Sequence, residues 1–472
     1  MTVEQQRGRD GAARATPRPT GDGVPVAGGS VGRQAVTAFE EADRLATQTL
    51  MEAITDRTNL NLAYERVVAN GGAPGVDGMT VDALKPWCRT HGTELIGRLL
   101  DGSYQPHPVR GVQIPKPGGQ RQLGIPTVVD RLVHQAIAQV LTRLIDPTFS
   151  AHSYGFRPGR SAHQAVRQGA AYVAEGRRIV VDIDLEKFFD RVNHDILLAR
   201  LARHVSDKRL LRIVRRFLEA GLMQDGVSVR RDEGTPQGGP LSPLLANLLL
   251  DDLDRDLERR GHRFVRYADD CNISVQSEAA GERVLASVTA FLEQRLKLRV
   301  NRAKSAVAPA WERKFLGYRL LAGGRLGLAP SSADRCQDRL RRLTRRNRGR
   351  ALEEVVGEIN RFAAGWLGYF RHAECRSWLR DVDGWLRQKL RCYRLKQAKR
   401  ANAIAGFLRS CGTPEHIAWA TAATVASRSR FPKRPLTSVR RPEWGSIPPP
   451  GRIRARPFGR HRAPCRPLPA GT

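Results

Sequence analysis

Two acidic sites set in β-rich runs limit what this chain can fold into. In Arg266-Tyr267-Ala268-Asp269-Asp270-Cys271-Asn272-Ile273, adjacent carboxylates stand between a run ending at Tyr267 and another at Ile273 to Val275. Alone, such a pair reads equally well as the polar tip of a hairpin. In Val181-Asp182-Ile183-Asp184-Leu185-Glu186-Lys187-Phe188-Phe189-Asp190, a strand of period two points Asp182 and Asp184 to one face and Val181 and Ile183 to the other. Carboxylates beside an apolar core are costly unless something positive neutralises them, and hard oxygen donors suit Mg²⁺. Taken alone, Asp184 could be a strand-end carboxylate and nothing more. Together the two sites favour a metal-binding pair of hairpins. Two ions ~3.5 to 4 Å apart can activate a 3′-hydroxyl and steady a leaving pyrophosphate, the chemistry by which phosphodiesters are made.

Two further segments flank this chemistry. Gly234-Thr235-Pro236-Gln237-Gly238-Gly239-Pro240-Leu241 is a loop whose glycines let backbone approach a substrate, ahead of a helix containing Leu244, Leu245, Leu248 and Leu249. Ile114-Pro115-Lys116-Pro117-Gly118-Gly119-Gln120-Arg121 reads as a Gly-turned hairpin with Lys116 and Arg121 near its tip. Those cations can hold a triphosphate or be solvated turn residues.

Charge places the partner. The 472 residues carry 79 Lys and Arg against 47 Asp and Glu, a net +32 that calls for a polyanion. The seven cysteines contain no C-x-x-C pair, which argues against disulfide frameworks and Cys-ligated zinc modules. No apolar run is long enough for a membrane helix. Residues 1–45 are expected as a disordered basic leader, 46–325 as a mixed α/β region, 326–430 as Arg-studded helices, and 431–472 as a disordered Pro and Arg tail. In the third segment Leu379, Val382, Trp385, Leu386 and Leu390 share one helix side, while Arg380, Arg387, Arg391 and Arg394 crowd the other. Between 330 and 412, 20 basic residues face 8 acidic ones, so a phosphate-facing surface is the preferred reading.

The order and wording of these blocks resemble the reverse transcriptase and maturase encoded within bacterial group II introns, in the compact form without an endonuclease domain. Asn70-Gly71-Gly72 to Gly78, Tyr104-Gln105-Pro106 and Ser153-Tyr154-Gly155-Phe156-Arg157-Pro158-Gly159-Arg160-Ser161 match its early blocks. Phe315-Leu316-Gly317-Tyr318, Trp366-Leu367-Gly368-Tyr369-Phe370 and Asp383-Gly384-Trp385 match its later ones. The resemblance implies an α+β right-hand polymerase, with fingers and palm around an antiparallel sheet and an α-helical thumb or maturase domain. It makes Asp184, Asp269 and Asp270 the metal-binding catalytic triad, Asp184 being preferred to Asp182 by its distance from Asp190. Phe189 is expected under the incoming sugar, where it can exclude a 2′-hydroxyl, Gln237 against the nascent base pair, and Lys116 and Arg121 against the triphosphate.

The implied cofactor is Mg²⁺, as two ions, with Mn²⁺ able to substitute. The implied partners are the intron RNA, a DNA target or primer and deoxynucleoside triphosphates, with no membrane and a cytoplasmic location; nothing in the sequence sets an oligomeric state. The match fails near Ser427 to Phe431, which motivates reading the tail as a frameshifted or degenerate end, and no paired cysteines suggest a nuclease. Two alternatives stay open: another bacterial reverse transcriptase of retron, diversity-generating or defence type, and an RNA-binding splicing cofactor whose polymerase is idle. Three other residue groups are expected to be structural: Asp190, Asn193 and His194 as helix caps, His163 as a surface residue, and Cys271 as a buried filler.

Overall fold

Asp56 accepts hydrogen bonds from the Thr58 and Asn59 amides, which separates α1 (Leu50–Thr55) from α2 (Arg57–Asn70). The computed structural model to which these helices belong describes residues 47–427, apart from 117–118, 225–226, 230–232, 236–237 and 399. The expected leader, the expected tail and Gln237 lie outside the described residues. After α3 (Leu84–Leu100) comes a hairpin of β1 (Val109–Lys116) and β2 (Gly119–Ile125), with Lys116 opposite Gly119 and Ile114 opposite Arg121. It is the hairpin expected from the sequence. α4 (Val128–Ile145) starts at Thr127, whose hydroxyl accepts the Asp130 amide and donates to the Asp130 carboxylate. Leu132, Val133, Ile137, Leu141 and Ile145 are buried on this helix together with the polar Asp130, Arg131, His134 and Gln139, so it runs through the core. Its Arg131 donates to the Gly71 and Ala73 carbonyls, 3.0 Å each, and pins the Gly-rich segment across it.

The next elements are α5 (Ala162–Ala174), β3 (Ile179–Ile183), α6 (His194–Leu201), α7 (Lys208–Glu219), β4 (Leu222–Gln224) and β5 (Val227–Val229). α8 (Ser242–Arg259), β6 (Arg263–Tyr267), β7 (Asp270–Val275), α9 (Glu278–Arg295) and β8 (Ala306–Pro309) follow. One sheet runs β2-β1-β4-β5; the other runs β6-β7-β3-β8 and is antiparallel throughout. Period two decides what each face of the second sheet does. Val181, Ile183 and Ile273 join the main core with Leu249, Leu253, Val288 and Leu292 from α8 and α9. Val180 and Val265 face a second core with Val166, Tyr172 and Tyr318. The acidic residues Asp182 and Asp184 share the parity of Val180, so they stand on the face turned away from the main core.

β9 (Tyr318–Leu320) and β10 (Leu326–Leu328) lead into α10 (Pro330–Leu343), α11 (Leu352–Tyr369), α12 (Arg376–Ala398), α13 (Ala401–Ser410) and α14 (Glu415–Ser427). α10, α11 and α12 close a small core around Cys336, Leu340, Val355, Ile359 and Tyr393. α13 and α14 close another around Ile404, Ala405, Leu408, Ala418 and Ala422. The helical region meets the sheet through Phe370, which packs with Tyr318, and through the Tyr369 hydroxyl, which donates to the Leu316 carbonyl at 2.9 Å. An antiparallel sheet with helices behind it and a helical C-terminal region is the mixed α/β architecture that the sequence implies. No helix among the described residues is long and apolar enough to cross a membrane.

Candidate active site

Asp184 leaves the end of β3 with its backbone fixed from the segment before β8. The Asn301 amide donates to the Asp184 carbonyl at 2.8 Å, and the Asp184 amide donates to Ser305 Oγ at 3.0 Å. Because Ile183 pairs with Cys271, the next step outward sets Asp184 beside Asp270. β6 and β7 turn through Ala268 and Asp269 alone, since Tyr267 pairs with Asp270. Asp184, Asp269 and Asp270 therefore line one cleft, of about 1090 Å³, with Glu186, Phe189, Asp190 and Lys304.

The cleft holds more negative than positive charge. Burial, then the Asp269, Asp182 and Asp184 carboxylates, push Asp270 up to about 6, against the opposing pull of Lys314. Asp182 is on the same strand face but is already engaged. Arg313 donates to its Oδ2 from Nε at 3.0 Å and from Nη2 at 2.7 Å, and Asn272 donates to its Oδ1 at 3.1 Å. The choice of Asp184 over Asp182, implied by resemblance, thus has a physical basis. Lys304 Nζ lies 3.8 Å from Asp184 Oδ1. Among the described residues no group of three or more His, Cys, Asp or Glu is arranged to hold a metal ion. The acids share a cleft without closing into a coordination cluster. Their chemistry still fits a hard divalent cation, because carboxylate oxygens crowded into one cleft, with the Asp270 pKa raised by its acidic neighbours, are what added positive charge relieves.

Beneath the turn lies a buried ionic network. Arg266 and Asp254 are both 0% exposed and meet through two bonds, Nε to Oδ1 at 2.7 Å and Nη2 to Oδ2 at 2.5 Å. Burial opposes the Arg266 charge, but Asp254 overrides it and the guanidinium pKa is raised. Arg266 Nη1 donates to the Ala268 carbonyl and to Asn247 Oδ1, 2.9 Å each, and Asn247 Nδ2 donates to the Gly155 carbonyl at 2.8 Å. Ala268 is thereby held at φ +58°, a left-handed conformation that a two-residue hairpin needs and a residue with a β-carbon resists. Gly155 lies flat on the turn; a β-carbon there would come within 2.3 Å of the Ala268 amide nitrogen.

Comparison with known proteins identifies the setting of this cleft. Residues 114–320 match the family "Reverse transcriptase (RNA-dependent DNA polymerase)", and residues 333–412 match "Group II intron, maturase-specific domain". Protein YkfC of Escherichia coli (strain K12) is 32% identical over 319 residues, covering 59% of this chain and 84% of that one. This chain belongs to the group II intron reverse transcriptase and maturase family. The "Group II intron-encoded protein LtrA" of Lactococcus lactis subsp. cremoris is 28% identical over 324 residues, and the alignment spans 54% of either chain, about half the length of that relative. A chain of the solved "Partial Cas6-RT-Cas1--Cas2 complex" is 29% identical over 52% of this chain and 43% of that one, with a TM-score of 0.35. Family membership sets the class of chemistry: RNA-directed DNA synthesis, which depends on divalent metal, joined to a maturase region for intron RNA.

Of the other expected nucleotide contacts, Phe189 lines the cleft, its ring 5.1 Å from that of Phe188 in an edge-to-face pair. Lys116 and Arg121 stand on facing strands, but their side chains lie outside what the structure describes. Arg380, Arg387, Arg391 and Arg394 are all exposed on α12. Arg387 pairs with Asp383 at 2.8 Å, and the Arg394 guanidinium lies over the Phe407 ring. Cys271 is buried, as expected, and burial pushes its thiol up. Two expectations need correction. His163 is half-buried rather than on the surface, with Nε2 2.6 Å from the Tyr369 carbonyl, because the helical region docks there. Only Asn193 caps α6, accepting the Ile196 amide at 2.9 Å; His194 reaches the Gly234 carbonyl and Asp190 lines the cleft.

Sequence reasoning missed Arg313, Asp254 and Asn247, whose partners are remote in the chain. The Gly155 contact yields a direct prediction. Gly155→Ala must displace the turn that carries Asp269, and a misplacement of about 1 Å costs roughly 100-fold in rate. Single-nucleotide extension should fall by that order while the circular dichroism spectrum is unchanged.

Proposed function

We propose that this protein copies its host group II intron RNA into DNA and binds the same RNA to assist splicing and retrotransposition. One observation carries this: a cleft lined by Asp184, Asp269 and Asp270 occurs in the same chain as a maturase-specific region whose longest helix exposes an arginine row. In this reading the three carboxylates hold two Mg²⁺ ions, with Mn²⁺ able to replace them. When bound, such ions supply Lewis-acid activation of a primer 3′-hydroxyl and charge neutralisation at the leaving pyrophosphate. Phe189 bounds the sugar site and rejects a 2′-hydroxyl by shape. Lys116 and Arg121 meet the triphosphate, and Gln237 meets the nascent pair. The 46–325 region forms fingers and palm, and 326–430 forms the thumb. Arg380, Arg387, Arg391 and Arg394 contact RNA phosphates, while the RNA supplies the active site for splicing itself. In this reading the protein works in the bacterial cytoplasm, on RNA or at the nucleoid.

The test is to copurify the protein with RNA, sequence what is bound, and splice that RNA at low salt with and without protein. The expected result is an intron RNA whose splicing accelerates with protein and whose affinity falls at least roughly tenfold between 50 and 200 mM salt. A flat salt response would remove the arginine surface from the account, and bound RNA unrelated to introns would remove the host.

A further inference from the structure

We propose that Phe156 is a stacking platform for a nucleobase of the template strand, mounted rigidly on the catalytic turn. The inference deepens the polymerase reading and rests on it.

Phe156 is 60% exposed, the most exposed large apolar side chain among the described residues. Its φ is +56°, a left-handed backbone that an aromatic residue rarely adopts. An exposed ring on a strained backbone gains nothing from burial, so the conformation must be imposed by its neighbours. Gly155, immediately before it, is pressed against the Ala268 amide and held by Asn247, which itself accepts from buried Arg266. The ring is therefore referenced to the same turn as Asp269 and Asp270. Its centroid lies 6.4 Å from that of Tyr267, at 42°.

Position supplies the ligand class. Phe156 lines the carboxylate cleft, where five acids face Arg66, Arg131, Lys187 and Lys304, and also an adjoining cleft of about 1180 Å³, which shares Arg66 and adds Arg143, Arg157 and Arg160 with Asp56 as its acid. A nucleotide needs only the first space. A polyanionic strand running from the basic cleft to the carboxylates must cross the boundary where Phe156 stands. A base that leaves its neighbours to be copied loses a stacking partner there, and an aromatic face replaces it for any sequence, since every base has a π face. Phosphates of that strand find the arginines of the second cleft.

The test uses the full-length protein on an RNA template and DNA primer, with 2-aminopurine at the templating position or at its unpaired neighbour. Wild type and Phe156→Tyr should quench the probe at one of these positions, whereas Phe156→Ala and Phe156→Leu should leave it bright. Phe156→Ala should extend the primer about tenfold more slowly on an intact template. It should match wild type when that template position is abasic. Equal quenching by wild type and Phe156→Ala at both positions would overturn the proposal. So would a Phe156→Leu protein that behaves as wild type, since apolar bulk alone would then suffice. An equal loss on intact and abasic templates would overturn it too. Quenching is read without chemistry in an Asp269→Asn background, so failure of the polymerase reading, seen as extension that survives Asp269→Asn, is scored separately.

Discussion

Asp269→Asn should lower primer extension on an RNA template by roughly 10³-fold or more, with folding and RNA affinity unchanged. The substitution keeps the shape of the two-residue turn between β6 and β7 and removes one of the charges that push Asp270 up to about 6. The variant therefore has a less acidic cleft and no loss of buried apolar contact, so the deficit must come from chemistry at the carboxylates. The measurement is single-turnover incorporation with Mg²⁺, alongside filter binding of the same RNA and a thermal melt. Extension within tenfold of wild type would take Asp269 out of the catalytic set. Matching results for Asp184→Asn and wild-type activity for Asp182→Asn would separate the strand residue that faces the cleft from the one engaged by Arg313.

Asp254→Ala should destabilise the protein by about 3–5 kcal/mol, because it leaves the Arg266 guanidinium buried without its carboxylate. Both side chains are 0% exposed, so water cannot replace the lost partner. Replacing the two together, Asp254→Leu with Arg266→Met, should return most of the stability, since apolar groups of similar volume often substitute for a buried pair without loss. It should not return activity. The Ala268 carbonyl loses its 2.9 Å donor and Asn247 loses its guanidinium in the double variant, so the turn bearing Asp269 is no longer fixed. Urea unfolding and primer extension on the same preparations decide this; a double variant as active as wild type would show that the pair serves stability alone.

Much of the site could be read from the sequence because its signals are local. Alternation over Val181 to Asp184 gave the strand and its two faces, and the Tyr267 to Asp270 hairpin was visible as two β-rich runs about a short polar turn. The glycines near 118 marked the first hairpin for the same reason. What could not be read depends on pairings between distant segments. Asp182 and Asp184 look alike along the strand; only Arg313, from the far side of β8, separates them. Asp254 lies in the middle of an ordinary-looking helix, and nothing beside it shows that it receives Arg266. Likewise Phe156 stands in the sequence only as one residue of the Ser153 to Ser161 block, and its outward placement depends on the contact of Gly155 with the remote Ala268.

The C-terminal helices seal their own interiors rather than extending the one behind the sheet. Interiors of this size open at lower free energy than a large one, and they do so separately. Harm to α13 or α14 is therefore contained: it loosens the end of α12 that packs on them through Leu395, and with it Arg394 over the Phe407 ring, while the carboxylate cleft stays shaped. In the proposed function, a copy decaying from its far end would cease helping its host transcript to be spliced before it ceased to make DNA.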